Sequence, residues 1–457
     1  MTSTKAKLYT VLSDHFLIAE SEITDILAPG DIPMWDSLGQ IQLMLRLEKD
    51  FAIQLSVDEV MSIHNVGDMI KVLEKKTGAP KQDAAPTVVA DTSLSMPAVV
   101  SVGRGAIQKL KAEVSGNVCV ILSKSRYAES IAKTFEGILS QAAVSFVYRD
   151  AGEPTVESIL RVAERLQECK PTTVIAVGGG STIDTAKLAL ALAELGAGSL
   201  RDLTDRDLPK SLGTALVAVP TLFGSGAEAS SAAIFQKGAN GEKSILFSHA
   251  LLPSRVILDP NLAGEVAHES FLAGLWDALS HAVEGSVSSL KNSLVMPYAG
   301  TAVRSLLRIL SEGSSVNALD ELCEASFFAG VVQNHTSVGL AHAVAHQLNR
   351  YGIPHGIATG MLLPSVIELN HSKDATVYGP LLQEARVRSV SELSGLIHSA
   401  VKASGVVPST TVLNTLVRER SEIAIGALND RTIRTNPVRV TQQDIESLIE
   451  RMVRSYE

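Results

Sequence analysis

Thr173-Val174-Ile175-Ala176-Val177 runs straight into Gly178-Gly179-Gly180, after which Ser181-Thr182-Ile183-Asp184-Thr185-Ala186-Lys187 takes up a helical pattern. An apolar, β-branched run that ends in glycines and resumes as a helix is the joint of a βαβ unit, which commits the chain to helices over a parallel sheet. The alternation extends both ways from this joint. VCVIL at 118–122, SFVY at 145–148, ALVAV at 215–219 and RVILD at 255–259 are further strand candidates, with a helical stretch at 155–168. Beyond Leu262 strand-like runs stop and the chain reads as helix upon helix.

Residues 1–78 follow a different rule. Ile41, Met44, Leu45 and Leu47 form an apolar stripe at helical spacing, and a second periodic segment runs from Val66 to Leu73. This stretch holds seven Lys/Arg and twelve Asp/Glu, so it supplies −5 of the chain's net charge of −9. Residues 79–97, APKQDAAPTVVADTSLSMP, show no period and read as a linker. The fold class expected is therefore multidomain. A small all-α bundle at 1–78 and the linker at 79–97 lead into an α/β parallel-sheet domain at 98–262 and an all-helical domain at 263–457.

Charge and composition exclude whole classes of partner. A chain at −9 lacks the basic face that counterion release on nucleic acid requires. No run approaches the roughly 20 apolar residues of a membrane span, and MTSTKAKLYTVL lacks the pattern of a secretory signal. Cys119, Cys169 and Cys323 are odd in number and fit no CxxC spacing, so a reducing cytoplasm is expected.

Three segments carry chemistry. Asp36-Ser37-Leu38 precedes the striped helix, and by itself is a helix N-cap. The glycine joint at 178–180 is either a tight turn or a phosphate cradle in which backbone N–H groups meet an anion; it is not a GxGxxG fingerprint. A second small-residue turn, Pro220-Thr221-Leu222-Phe223-Gly224-Ser225-Gly226, follows another strand. Asp277 and His281 are four apart, as are His342 and His346, so each pair shares a helix face. Any one His is most often a core or surface residue, yet four of the eleven lie between 335 and 355.

The stretch WDSLGQIQLMLRLEKDFAIQLSVDEVMSIHNVGDMIKVLEKK resembles acyl and peptidyl carrier proteins across the whole 1–78 unit. That resemblance implies 4′-phosphopantetheine esterified to Ser37. It also implies a phosphopantetheinyl transferase and acyl-loading or polyketide and peptide assembly enzymes as partners, and a role in secondary metabolism. GGGSTIDTAK, VPTLFGSGAEAS, DALSHAVE, GLAHAVAHQL and PHGIATGMLLP resemble the iron-containing alcohol dehydrogenases, a branch of the dehydroquinate synthase-like fold, over about 98–457.

By this second resemblance 98–262 is the nucleotide-binding domain and 263–457 the metal-binding one. Gly178, Gly179, Gly180 and Ser181 would hold the pyrophosphate of NAD(P)H with Asp184 nearby. Thr221 and Ser225 would lie along the cofactor, and Lys243 near a ribose. Lys124, after the first strand, replaces a common acidic residue and admits NADPH as readily as NADH. Asp277, His281, His342 and His355 would bind Fe²⁺ or Zn²⁺, and His346 would relay a proton. Gln347, Asn349, Arg350 and the Asn334-His335 pair depart from the family pattern and are expected to line the substrate pocket.

The function expected is reversible hydride transfer between an alcohol and an aldehyde or ketone carried as a thioester on Ser37. The alternatives are a dehydrogenase for a free small molecule beside an independent carrier, a non-catalytic scaffold, and a cyclase of the dehydroquinate synthase type. A second copy of the chain is a further expected partner.

Overall fold

The computed structural model describes residues 3–16, 18–32, 35, 37–51, 53, 55, 59, 63–77, 93–204, 208–237, 242–263, 267–312 and 318–457. The chain divides into two compact units, Met1–Asp91 and Thr92–Glu457.

The first unit is built on α1 (Ser3–Phe16), α2 (Ser37–Phe51) and α3 (Val66–Thr77). Leu8, Val11, Leu12 and Phe16 of α1 share a core with Leu43, Met44 and Leu47 of α2 and Val66, Met69 and Leu73 of α3. Leu43, fully buried, was absent from the expected stripe. Trp35 is the pivot. It is fully buried, stacks on Phe16 with centroids 5.0 Å apart, and its indole N–H donates to Gln40 Oε1 at 2.5 Å. An indole so pinned fixes the entry to α2, which begins at Ser37. Asp36 and the Ser37 side chain lie outside the described residues.

The second unit opens with a six-stranded parallel sheet in the order β1-β8-β5-β4-β2-β3. Its strands are β1 (Val99–Val102), β2 (Asn117–Ser123), β3 (Ala143–Arg149), β4 (Thr173–Gly178), β5 (Ala215–Pro220) and β8 (Arg255–Leu258). Between β5 and β8 the antiparallel hairpin β6 (Ala232–Lys237) and β7 (Glu242–Phe247) stands apart from the main sheet. Neither β1 nor the hairpin was among the strand candidates. The central strands are apolar on both faces because both are covered: Cys119 and Ile121 of β2 point into one core, Val118, Val120 and Leu122 into the other.

The helices flanking the sheet are α4 (Leu110–Glu113), α5 (Ala128–Ile138), α6 (Val156–Cys169), α7 (Gly180–Leu195) and α8 (Leu200–Thr204). From Thr182 to Leu192 α7 is buried on every side, its apolar residues together with Asp184 and Lys187, whose Oδ2 and Nζ atoms find partners inside.

The helical half holds α9 (His268–Val287), α10 (Met296–Glu312), α11 (Ala318–Thr336), α12 (Leu340–Leu348), α13 (His355–Lys373), α14 (Gly379–Ala385), α15 (Val390–Ala403), α16 (Thr410–Arg418), α17 (Arg420–Asn429) and α18 (Gln442–Tyr456). Residues 93–97 belong to this packed unit. Leu94 and Met96 pack on the core, and Ser95 N–H donates to His335 Nε2 at 2.9 Å. Among the described residues no helix is long and apolar enough to cross a membrane.

Candidate active site

The nucleotide cradle is made where β4 and β5, neighbours in the sheet, end side by side with Gly178 opposite Pro220. Ligands of open parallel sheets sit at such carboxyl ends. Gly179 caps α7, so Gly180 and Ser181 open a buried helix whose first N–H groups have no helical partner. A Cβ on Gly180 would fall 2.5 Å from Ser225 Oγ, so any larger residue would force the Ser225 hydroxyl to give way. Thr221 N–H donates to Gly178 O at 3.0 Å, which ties the second turn to the first. The space kept clear by these glycines suits a pyrophosphate.

Not every expected cofactor residue faces that space. Asp184 is buried, and its Oδ2 accepts the Ile234 N–H at 3.1 Å, so it braces the β6 hairpin from inside. Beside it Lys187 is fully buried, and its ammonium donates to the carbonyls of Ala227, Ser230 and Ala232 at 2.7, 2.8 and 2.7 Å. A buried cation saturated by carbonyls is a clamp, and here it holds the turn after Ser225. Lys124 at the end of β2 pairs with Asp150 at 2.7 Å, and Lys243 on β7 pairs with Glu153 at 3.0 Å.

The second cluster is made of side chains. On α9, Asp277 and His281 share a face; α12 contributes His342 and His346; His355 is the first residue of α13. Asp277 Oδ1 lies 3.7, 3.6 and 3.5 Å from the Nε2 atoms of His281, His342 and His355. Four donors about 2.1 Å from one divalent ion are spaced about 3.4 Å apart. Asp277 Oδ1 and His342 Nε2 are buried without a hydrogen-bond partner, an expensive state that an ion would relieve. The residues therefore fit a metal. Close approach of α9 and α13 makes the cluster possible: a Cβ on Gly356 would meet Ala273 O at 1.9 Å, so glycine beside His355 is obligatory.

Two of the three rings around Asp277 are oriented from behind, while His355 Nδ1 has no hydrogen-bond partner. His281 Nδ1 donates to Gly224 O at 3.2 Å and His342 Nδ1 to Glu284 Oε2 at 2.5 Å. Both oxygens accept, so Nδ1 of each ring carries a proton and Nε2 is turned toward Asp277. Burial would raise the Asp277 carboxyl, but the surrounding imidazoles outweigh it and hold it well below the usual carboxylate range. Burial pushes His281 down to about 4 and His355 down to about 3, which keeps both neutral. It also works against charge on His342, yet Asp277 and Glu284 together raise that ring to about 9.

Exposure sets the direction of approach. The side chains of His281 and His342 are 4 and 3% exposed, those of His355 and His346 30 and 34%. His346 stacks on His355 with centroids 5.2 Å apart and donates from Nδ1 to Asp430 Oδ2 at 2.8 Å. Asp430 Oδ1 in turn accepts from the backbone and hydroxyl of Thr432 at 2.9 and 2.7 Å. Glu284 and Asp430 were both missed from sequence; DALSHAVE displays Glu284 on the ligand face of α9, and that was the available signal.

Most of the expected pocket-lining residues have protein partners. Gln347 packs over Gly426 of α17, Arg350 pairs with Glu422 at 2.6 Å, and Asn349 is exposed. With Tyr351 O–H donating to Glu419 at 2.8 Å, they staple the loop before α13 to the α16–α17 corner. Asn334 accepts the Ser231 N–H at 2.7 Å, and His335 holds the incoming segment at Ser95. These polar residues found partners in neighbouring backbone and helices, which the sequence pattern could not display.

Residues 97–260 match the iron-containing alcohol dehydrogenase family, residues 271–453 its C-terminal part, and residues 35–73 the phosphopantetheine attachment site. The chain is 27% identical over 373 residues to a 1-propanol dehydrogenase of Salmonella typhimurium, covering 77% of this chain and 97% of that one. It is 24% identical over 375 residues to alcohol dehydrogenase 4 of Saccharomyces cerevisiae, covering 79 and 98%. Among solved structures, the iron-containing alcohol dehydrogenase of Thermococcus thioreducens superposes with a TM-score of 0.72 at 25% identity over 79% of this chain and 100% of that one. A sulfoacetaldehyde reductase of Bifidobacterium kashiwanohense in complex with NAD⁺ shares the fold, with a TM-score of 0.72 at 23% identity over 79 and 98%.

Proposed function

The chain belongs to the iron-containing alcohol dehydrogenase family, with a phosphopantetheine attachment domain ahead of it and iron, NAD(P) and 4′-phosphopantetheine as its cofactors, and from that premise we propose that it reduces or oxidises a group borne on its own carrier arm. The cargo would hang as a thioester from the thiol of a phosphopantetheine arm on Ser37, placed there by acyl-loading enzymes of a biosynthetic assembly line after a transferase attaches the arm. Its alcohol or carbonyl, away from the thioester, would be the reacting group.

The observation that carries the dehydrogenase reading is the Asp277 carboxylate ringed by three Nε2 atoms at 3.7, 3.6 and 3.5 Å. Asp277, His281, His342 and His355 would hold the metal, which supplies Lewis acidity toward the substrate oxygen. Gly178, Gly179, Gly180, Ser181, Thr221 and Ser225 would hold NAD(P), the source or acceptor of the hydride. Lys124, just after β2, and Lys243, on β7 of the hairpin, would lie further along the cofactor. In the oxidation direction carbon gives up a hydride and the hydroxyl gives up a proton. His346 stands at the exposed side of the cluster, and Asp430 on its Nδ1 leaves Nε2 free to receive that proton and pass it to solvent.

The thioester carbonyl itself is the poorer target. Hydride there would expel the thiol and release the cargo, a step usually assisted by an acyl-accepting cysteine. Cys119 and Cys323 are buried, which raises both thiols, Cys119 to about 12. Tethering raises the local concentration of cargo into the millimolar range for a suitable linker.

The second reading, a free substrate beside an independent carrier, is favoured by the relatives. The Salmonella enzyme aligns over 97% of its length with only 77% of this chain, and its name specifies a free alcohol. The test loads Ser37 with hydroxyacyl-phosphopantetheine, adds NAD(P)⁺, and follows the arm-borne mass for a loss of two hydrogens. Faster turnover on the arm than for the same acyl group as a free thioester is expected. Equal rates, or unchanged rates in Ser37→Ala, would leave the free-substrate reading standing.

A further inference from the structure

Glu284 is buried at 3% exposure, three residues after His281 and seven after Asp277 on the same face of α9. Its two oxygens are spent on one neighbour. Oε2 accepts from His342 Nδ1 at 2.5 Å, and Oε1 accepts the backbone N–H of Ala341 at 2.6 Å. The second bond caps α12, whose preceding N–H, on Leu340, donates to Asn436 Oδ1 at 3.3 Å. A single carboxylate thus fixes both the ring of His342 and the start of the helix that carries it. A negative charge at a helix N-terminus is also the favourable polarity.

The other two imidazoles are supported less strongly. His281 has the neutral carbonyl of Gly224 at 3.2 Å, and His355 Nδ1 is buried without a partner. Carboxylate support of a ligating imidazole fixes its tautomer, aims its lone pair and raises its basicity. Here that asymmetry makes His342 the strongest nitrogen donor of the cluster.

We propose that Glu284 is the positioning residue of the metal centre, setting its affinity through His342 and coupling ion capture to the seating of α12. This rests on the reading that Asp277, His281, His342 and His355 bind the ion. Glu284 touches neither substrate nor nucleotide in this role. An amide in its place keeps the size but offers one donor where two acceptors are needed, so either His342 or the helix start loses its partner.

The experiment strips the full-length protein of metal and titrates Co²⁺ against a competing chelator. The visible Co²⁺ band reports the ligand set, and melting of the metal-free protein and NAD(P) binding are measured alongside. Glu284→Gln is expected to weaken Co²⁺ by about 10–100-fold and to shift the band, with NAD(P) affinity unchanged within twofold. Co²⁺ affinity within threefold of wild type, with only the metal-free melting temperature lowered, would overturn the proposal by showing a purely structural role. Should the Gln variant fail to fold, Glu284→Asp is read the same way: it keeps the charge but withdraws it by a methylene, and at least tenfold weaker Co²⁺ is again expected. Asp277→Ala separates the two levels. If it retains Co²⁺, the site reading itself is wrong; if it loses Co²⁺ while Glu284→Gln does not, only the role of Glu284 falls.

Discussion

The nucleotide cradle and the metal cluster of the second unit are built from different materials. Between β4 and α7 the work is done by backbone and by missing side chains: Gly180 sits so close to Ser225 that a Cβ would be 2.5 Å from its hydroxyl. Across the helical half the work is done by side chains, several of them aimed by a second group, as Glu284 aims His342 and Asp430 aims His346. A backbone site tolerates any residue of the right size and is spoiled by bulk. A side-chain site has no spare members and is spoiled by deletion.

That contrast ranks the outcomes of mutation. Deleting Asp277, the one oxygen shared by three imidazoles, should be the most damaging: in Asp277→Ala, metal analysis should find iron lost on dialysis and the rate down by at least about 10³-fold. NAD(P) binding should survive, and its loss would show that the two sites are one. Next, His346→Asn should lower kcat by about 10²-fold with metal content intact; a fall in metal content instead would make His346 a ligand and not a proton carrier.

A smaller effect concerns pH. Burial opposes charge on His342, but Asp277 and Glu284 raise it to about 9, whereas burial keeps His281 and His355 neutral. Below pH 9 an incoming ion must therefore displace one proton. Metal affinity should rise about tenfold per unit as pH climbs toward 9, then level off. Calorimetry in two buffers should count one proton released, and a count of zero would remove the assignment. Last, Gly180→Ala presses on a rotatable hydroxyl and should weaken NAD(P) by only about fivefold, at about 1 kcal/mol, with metal content unchanged.

The same contrast explains what could be read from sequence. Glycine joints and i, i+4 pairs are local, so the cradle residues and the ligand candidates were visible without a fold. Asp277, His281, His342 and His355 do converge, although the resemblance to a family, more than spacing, singled out those four. Glu284 and Asp430 act across 58 and 84 residues; helical spacing places Glu284 on the face of Asp277 and His281, but no local pattern announces Asp430. Polarity misled where it met helix surfaces, as at Gln347 and Arg350, because an unusual polar residue in a loop can as well be a staple as a pocket wall. The strand β1 is four residues long, too short for alternation to distinguish it from linker. The hairpin Ala232–Lys237 and Glu242–Phe247 was lost for a different reason: the Gly-Ala-Asn-Gly run between its strands was a turn signal that went unread.

The burial gradient across the four proposed ligands has a kinetic consequence. His281 and His342 are sealed, while His355 opens a helix and stays 30% exposed beside His346. An ion leaving such a site would release His355 first and depart on the exposed side, where substrate would approach. Occupied by substrate, the doorway is closed. Chelators should then strip the resting enzyme faster than the working one, so that turnover itself would prolong the lifetime of the loaded protein.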